Sequence, residues 1–387
     1  MKIGILTLPL NENYGGVLQA YALQQVLAGM GHEPVLLNRG SRYLRSRQLL
    51  LQCGSVVKCL LRKYVMGQKD IRISNPFSPD YTIYKSKCPD SKYLRLFIRR
   101  NIRRTCRLRS TWQLKTYVKL CGLRCFVVGS DQVWRKIYAP CLTDNFLCFL
   151  PDGKRYVRVA YAASFGTETF EATKEEAALC AGALKKFDAV SVRECGGVGI
   201  VKILCGIDAA VTLDPTLLLR AEDYMRLIEE KDKEVTPGVV SYILDADAGK
   251  SSVTDYVAST LRAPVTAMSL SPKDKHGNRE RMISVSGWLS RISNADFVVT
   301  DSFHGCVFSI IFKKNFIAIL NKERGADRFH SLLGALGLTD RLVTSFDDLK
   351  SKGHKWLNTP IDYGHVYGKY VGLKEESLEF LRNALNG

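Results

Sequence analysis

Residues 2–38, KIGILTLPLNENYGGVLQAYALQQVLAGMGHEPVLLN, decide the reading of the fold. KIGILTL is an apolar run of strand length, and it gives way to a polar, glycine-bearing loop from Asn11 to Gly16. Apolar pairs then recur at helical spacing, Val17-Leu18, Tyr21-Ala22 and Val26-Leu27, until Gly29-Met30-Gly31 stops the helix. EPVLLN begins a second apolar run. Strand, glycine loop, helix, strand is a βαβ opening, which predicts a parallel sheet and a doubly wound domain.

The same alternation continues downstream. CFVVGSD (125–131), RVAYAASFG (158–166), DAVSVRE (188–194) and AVTLDP (210–215) each run from apolar residues into a polar or glycine turn. A charged, helix-like piece, EDYMRLIEEKDKE, and then Thr236-Pro237-Gly238 mark a domain boundary, giving a first domain over 1–225 and a second over 236–365. The second series is VVSYIL (239–244), a helix near 250–262, APVTAMSL (263–270), a polar loop at 271–282, DFVVTDS (296–302) and NFIAIL (315–320). A last helical segment, Lys374 to Leu385 within 370–387, is expected to pack back on the first domain. A chain of 387 residues exceeds what one core usually holds. Two Rossmann-like, doubly wound α/β domains facing a cleft are the GT-B-like architecture, although periodicity alone does not separate it from other paired Rossmann-like folds.

Composition narrows the class. Apolar residues make up 46% and charged residues 24%, as in ordinary globular proteins. The richest apolar stretch, Phe303 to Leu320, is broken by Lys313 and Lys314, so no membrane span is expected. The N-terminus reads as a buried strand, not as a secretory signal. Cysteines are scattered without a C-x-x-C pair, and Cys121 and Cys125 lack a second Cys/His pair to complete a zinc site. Reduced thiols in a cytoplasmic protein without a bound metal are the expectation. The net charge of +18 is concentrated between Arg39 and Arg124, where 22 Lys and Arg face three acids. Leu94, Phe97, Ile98 and Ile102, separated by Arg pairs, predict amphipathic helices with a cationic face, a basic helical insertion over about 40–120.

Several strand ends offer chemistry. In Thr300-Asp301-Ser302-Phe303-His304-Gly305 a strand turns into a helix, placing Ser302 and His304 at the helix N-terminus, where free N–H groups and the dipole favour an anion. A histidine there can shuttle a proton near neutral pH. The alternative is that Asp301 or Ser302 is only a cap and His304 packs on the sheet. Arg193, ending VSVRE, can fork onto a carboxylate or phosphate, or else pair with a surface acid such as Glu194. Gly129-Ser130-Asp131 suits a close ligand approach with Asp131 acting on a hydroxyl, or else a tight turn capped by Asp131. Arg324 and Arg328 follow NFIAIL, either as anion ligands or as solvated surface residues. Neither G-x-x-x-x-G-K-[ST] nor G-x-G-x-x-G occurs, so nucleotide binding by those motifs is unsupported.

NENYGGVLQAYALQQVL (11–27), FVVGSDQVW (126–134), YAASFG (161–166), VSVRE (190–194), LDPTLLL (213–219) and DFVVTDSFHG (296–305) occur in an order that resembles the polysaccharide pyruvyl transferase family. The resemblance runs over about 1–345 and is poorest in the basic region. It implies a GT-B-like fold, phosphoenolpyruvate as donor substrate with no separate cofactor, and transfer of pyruvate onto two sugar hydroxyls, often of galactose, as a cyclic ketal. The family's donor-binding arginine falls on Arg193 and its essential histidine on His304. Many members carry Arg-Leu-His where this chain reads Ser302-Phe303-His304, which leaves the donor's phosphate to Arg324, Arg328 and the helix N-terminus around Ser302 and Gly305. Asp131 is then expected to orient or deprotonate the acceptor, with Asn13, Tyr14, Gly15, Gly16 and Ser130 on the acceptor side.

The partners expected are phosphoenolpyruvate and a galactose-containing glycan or lipid-linked oligosaccharide. The 39–124 segment adds an anionic membrane surface, peripheral at the inner face of the cell membrane, with an acidic glycan or a solvated face as alternatives; no nucleic-acid motif is present. Two other functions compete: a nucleotide-sugar glycosyltransferase or epimerase on the same architecture, and a non-catalytic protein that binds anionic lipid or glycan.

Overall fold

The computed structural model describes residues 1–10, 13–40, 54, 56–58, 60–67, 92–152, 156–233, 236–268, 282–321 and 325–386. Arg324, most of the 271–282 loop and much of the basic insertion lie outside these residues.

Two parallel sheets organise the chain. The first has the order β2-β1-β3-β4-β5-β6, built from β1 (Lys2–Leu6), β2 (Glu33–Leu36), β3 (Cys125–Val128), β4 (Val157–Ala163), β5 (Ala189–Val192) and the short edge strand β6 (Ala210–Val211). The second has the order β11-β10-β9-β7-β8, built from β7 (Val239–Tyr242), β8 (Val265–Ala267), β9 (Phe297–Thr300), β10 (Asn315–Ile319) and β11 (Leu342–Val343). Strand order reverses between β1 and β3, and again between β7 and β9. In open α/β sheets such switch points open a crevice beyond the carboxyl ends of the strands.

The strands read as near-continuous apolar runs because both faces are covered. Alternate residues of β1, β3 and β4 enter one of two clusters: Ile3, Ile5, Val127 and Tyr161 face one core, and Leu6, Phe126, Val128 and Ala160 face the other. The first of these cores continues into the second sheet through Val240, Tyr242, Val298 and Phe316, so both sheets share it. Val239, Val299 and Ile317 pack on the second sheet's opposite face.

The helices are α1 (Tyr14–Gly29), α2 (Lys92–Asn101), α3 (Thr111–Cys121), α4 (Lys174–Leu184), α5 (Cys195–Cys205), α6 (Ala221–Met225), α7 (Ala248–Leu261), α8 (Val285–Asn294), α9 (Phe303–Ile311), α10 (Asp327–Leu336), α11 (Phe346–Asn358) and α12 (Tyr363–Asn386). Three depart from the sequence reading. α1 begins at Tyr14, so Gly15 and Gly16 lie in its first turn and not in a loop. The charged EDYMRLIEEKDKE piece is helical only as α6 and a short 3₁₀ turn, Glu230–Asp232. The last helix starts at Tyr363, earlier than its charge pattern indicates. α12 lies against the first sheet: Ser377 Oγ accepts from the Leu213 amide at 3.0 Å, the Tyr370 hydroxyl donates to the Leu217 carbonyl, and Phe380 meets Tyr161 with ring centroids 6.3 Å apart. Among the described residues no helix is long and apolar enough to cross a membrane.

Candidate active site

The carboxyl ends of the two sheets meet over one buried group of charges. Arg193 follows β5 and reaches two carboxylates, donating to Asp214 Oδ2 at 3.0 Å and to Asp131 Oδ1 at 3.3 Å. Asp214 follows β6, and its side chain is fully buried. It also accepts from Ser130 Oγ at 3.1 Å and from the Thr216 amide and hydroxyl at 3.0 and 2.7 Å. His304, in the first turn of α9, crosses from the second sheet and sets its Nε2 at 3.6 Å from Asp214 Oδ2. That nitrogen is buried and has no hydrogen-bond partner among the described residues.

Burial alone would raise the Asp214 carboxyl. His304, Arg193 and Thr216 outweigh burial and hold it well below the usual carboxylate range. Burial likewise opposes the charge of Arg193, but Asp131, Asp214 and Glu194 around it raise its pKa. Arg328, in α10, is pushed down to about 10 by burial and by Arg193, so it is still a cation at neutral pH. Phe303 takes both arginines on its ring, with the Arg193 guanidinium 4.6 Å and the Arg328 guanidinium 5.4 Å from its centre. Cations placed over a ring face are attracted to it, which fixes both guanidinium groups beside the α9 N-terminus. The Phe303 and His304 amides of that terminus have no hydrogen-bond partner among the described residues.

Because Asp214 is depressed, the folded state binds its proton less readily than the unfolded chain does. The stability it contributes is therefore complete above the ordinary carboxylate range and falls as the pH drops below about 4. Asp214→Asn should lower stability at neutral pH by about 1–3 kcal/mol. Melting temperatures measured from pH 7 down to pH 3 should show the wild type losing its lead over the variant as acid is added.

Gly15 is fixed by close approach. A Cβ at this position would stand 2.1 Å from His304 Nδ1, so the first turn of α1 lies flat against the imidazole. Gly15→Ala should displace the histidine and lower kcat by about 10²-fold, an effect seen when reacting groups move by about 1 Å. Steady-state rates, with circular dichroism to confirm folding, measure it. Gly16 faces Asn13 and Asp131: a Cβ there would lie 3.4 Å from Asn13 Nδ2 and 3.6 Å from Asp131 Oδ2. Asn13, Gly16 and Asp131 thus line one side of the site. Asp131 itself holds a left-handed φ of 72° after the cis Gly129–Ser130 peptide.

Other expected residues are employed elsewhere. Tyr14 stacks on Trp288 at 5.5 Å and donates its hydroxyl to the Ile283 carbonyl at 2.8 Å, so it belongs to the packing and not to an acceptor surface. Ser130 is fully buried, and its hydroxyl is spent on the Ala162 carbonyl and Asp214. Ser302 is the cap of α9, taking the Gly305 amide at 3.3 Å. Gly305 packs so closely that a Cβ would meet Thr300 Oγ1 at 2.2 Å, and its amide is not offered to a ligand. Asp301 is structural, accepting from the Leu244 and Asp245 amides and from Lys250. Glu194 is not a surface partner of Arg193: it is buried and accepts from Ser164 Oγ and the Phe165 and Gly166 amides. Arg328 is buried, not solvated. Arg324 lies outside the described residues. Sequence reasoning missed Asp214 and the plate-like role of Phe303. The signal for Asp214 was a strand end followed by proline, LDP, parallel to the other strand ends that were singled out.

The family described as polysaccharide pyruvyl transferase matches residues 13–323, a span that takes in every described member of the site except Arg328. The chain belongs to the polysaccharide pyruvyl transferase family. Membership makes it an enzyme that transfers pyruvate to polysaccharide. No curated protein matches the chain significantly. Among solved structures, UDP-GlcNAc 2-epimerase from Methanocaldococcus jannaschii is similar over 100% of both chains, at 10% identity and a TM-score of 0.52. The S. aureus MnaA–UDP co-structure covers 100% of this chain and 97% of its own, at 11% identity and a TM-score of 0.49. UDP-GlcNAc 2-epimerase from Neisseria meningitidis, bound to UDP-GlcNAc, covers 99% and 100%, at 10% identity and a TM-score of 0.47. At such identities the likeness shows the fold alone, and the fold of this pyruvyl transferase family member is GT-B-like.

Proposed function

We propose that the enzyme transfers pyruvate from phosphoenolpyruvate to two hydroxyls of a sugar, galactose in a polysaccharide repeat or lipid-linked precursor, forming a cyclic ketal. The observation that carries this reading is His304: a buried imidazole whose Nε2 has no hydrogen-bond partner among the described residues, beside an ionised Asp214 and Arg193.

Phosphoenolpyruvate is a compact trianion. Arg193, Arg328 and the first-turn amides of α9 supply the positive charge it requires, in surroundings where charge is weakly screened. His304 gives a proton to the methylene carbon, and positive charge develops at the adjacent carbon. One sugar hydroxyl attacks that carbon, phosphate leaves with its bridging oxygen, and the second hydroxyl closes the ring. Of the two hydroxyl protons released, one replaces the proton given to carbon and the other departs with phosphate. Donor binding to Arg193 takes the place of the 3.3 Å contact with Asp131, leaving that carboxylate beside Asn13 and Gly16 to receive an acceptor proton. The scheme employs no cofactor beyond the donor. It places the enzyme in the cytoplasm, where phosphoenolpyruvate is made, and its acceptor at the inner membrane face.

Phosphate release from phosphoenolpyruvate tests this reading. Release should depend on an added galactoside and should be absent with the sugar or the donor alone. A melting temperature raised by a UDP-sugar and not by phosphoenolpyruvate would favour a nucleotide-sugar enzyme instead.

A further inference from the structure

The cationic stretch has no part in the chemistry above. Residues 92–124 hold eleven Lys and Arg and no Asp or Glu. α2 buries Leu94 and Ile98, lies against α1 and α8, and leaves Arg95, Arg99 and Arg100 exposed. α3 buries Leu114 and Val118 and exposes Trp112, Lys115, Lys119 and Leu120. Those four recur at i, i+3, i+7 and i+8, so they form one stripe along the helix. Within it Trp112 is 72% and Leu120 80% exposed. The short helix Leu61–Val65 repeats the combination: Leu61, Tyr64, Val65 and the following Met66 are each more than half exposed, with Arg62 and Lys63 among them. Glu229 stands 3.9 Å from Arg100 and Glu33 4.0 Å from Arg103, both pairs on exposed side chains.

Water accounts for the lysines and arginines but not for a leucine and a tryptophan aligned with them. A nucleic acid would stack on Trp112 and Tyr64, and an acidic glycan would engage the cations. Neither employs exposed aliphatic groups such as Leu120, Leu61 and Val65. An anionic bilayer uses all three kinds of side chain: cations meet headgroup phosphates, indole and phenol rings sit at the interface, and aliphatic groups enter the acyl boundary. We infer that the α3 stripe forms a docking surface for anionic phospholipid membrane, a combination of side chains that the Leu61–Val65 helix carries as well. Docking does not depend on the identity of the donor, so it is tested independently of the proposed reaction.

The test is flotation of the full-length enzyme with vesicles of phosphatidylcholine alone and of phosphatidylcholine mixed with phosphatidylglycerol. The enzyme should float with the mixed vesicles, at least about tenfold more strongly than with the neutral ones, and added salt should release it. Paired Trp112→Ser and Leu120→Ser changes should weaken flotation about tenfold, as should Lys115→Gln with Lys119→Gln, with phosphate release toward a water-soluble acceptor unchanged. Failure to float on mixed vesicles overturns the inference. Flotation indifferent to the Trp112 and Leu120 changes also overturns it, because the surface is then only cationic. Tighter binding to single-stranded RNA than to vesicles does the same. So does a dimer in vesicle-free buffer that those two changes dissolve, since the stripe is then covered by a second copy.

Discussion

His304→Gln should lower kcat by about 10²–10⁴-fold, the range expected when a positioned acid/base group is removed. Glutamine keeps a polar side chain in the pocket but has no proton to exchange near neutral pH. The native imidazole makes no hydrogen bond through Nε2 among the described residues, so the substitution breaks none there. The affinity for phosphoenolpyruvate should change little, because Arg193 and Arg328 are untouched, while the melting temperature should fall somewhat because Asp214 loses a neighbour that favours its charged form. Steady-state kinetics with separate kcat and KM values make the comparison. A variant that kept full turnover would remove His304 from the chemistry and leave its burial beside Asp214 as simple packing.

The second large effect is expected at Arg193. Its guanidinium bonds Asp131 and Asp214 together, and its fork matches that task where an ammonium does not. Arg193→Lys should keep a charge but lose one of the two contacts, lowering kcat/KM for phosphoenolpyruvate by about 10²-fold, chiefly through KM. Arg193→Met should go further and cost about 3–5 kcal/mol of stability, because two buried carboxylates are then left facing each other. Thermal unfolding and donor-saturation curves separate the two outcomes. Equal stability in the Met variant would show that Ser130 and Thr216 hold Asp214 without the guanidinium and that Asp131 does not need it.

These expectations rest on residues of unequal visibility in the sequence. The opening βαβ unit, the DFVVTDSFHG turn and the VSVRE strand end were legible because each couples an apolar run to a polar or glycine turn, a local property. That local signal placed Arg193 and His304 at strand ends. It did not place them against each other, since one belongs to each sheet and their meeting depends on how the sheets face. Asp214 escaped for the same reason: its importance lies in being reached from β3, β5 and α9 at once, and none of those contacts is local. Tyr14 and Ser130 misled because their neighbours are glycines of the site, while their own side chains turn toward Trp288 and Ala162. Sequence pattern reads Gly15 as a loop glycine, and only the facing imidazole explains why it must lack a side chain. The departure at Ser302-Phe303 acquires a physical account: serine caps α9, and phenylalanine seats two arginines that flank the helix start.

The central claim is that a proton from solvent, relayed by His304, reaches the methylene carbon of phosphoenolpyruvate as pyruvate passes to the sugar. Mass spectrometry of the product formed in deuterated water tests it most directly. The account predicts a galactoside carrying a pyruvate ketal whose new methyl group holds one deuterium, with one phosphate released per ketal. A ketal whose methyl group holds no deuterium, or phosphate released without any ketal, would contradict it.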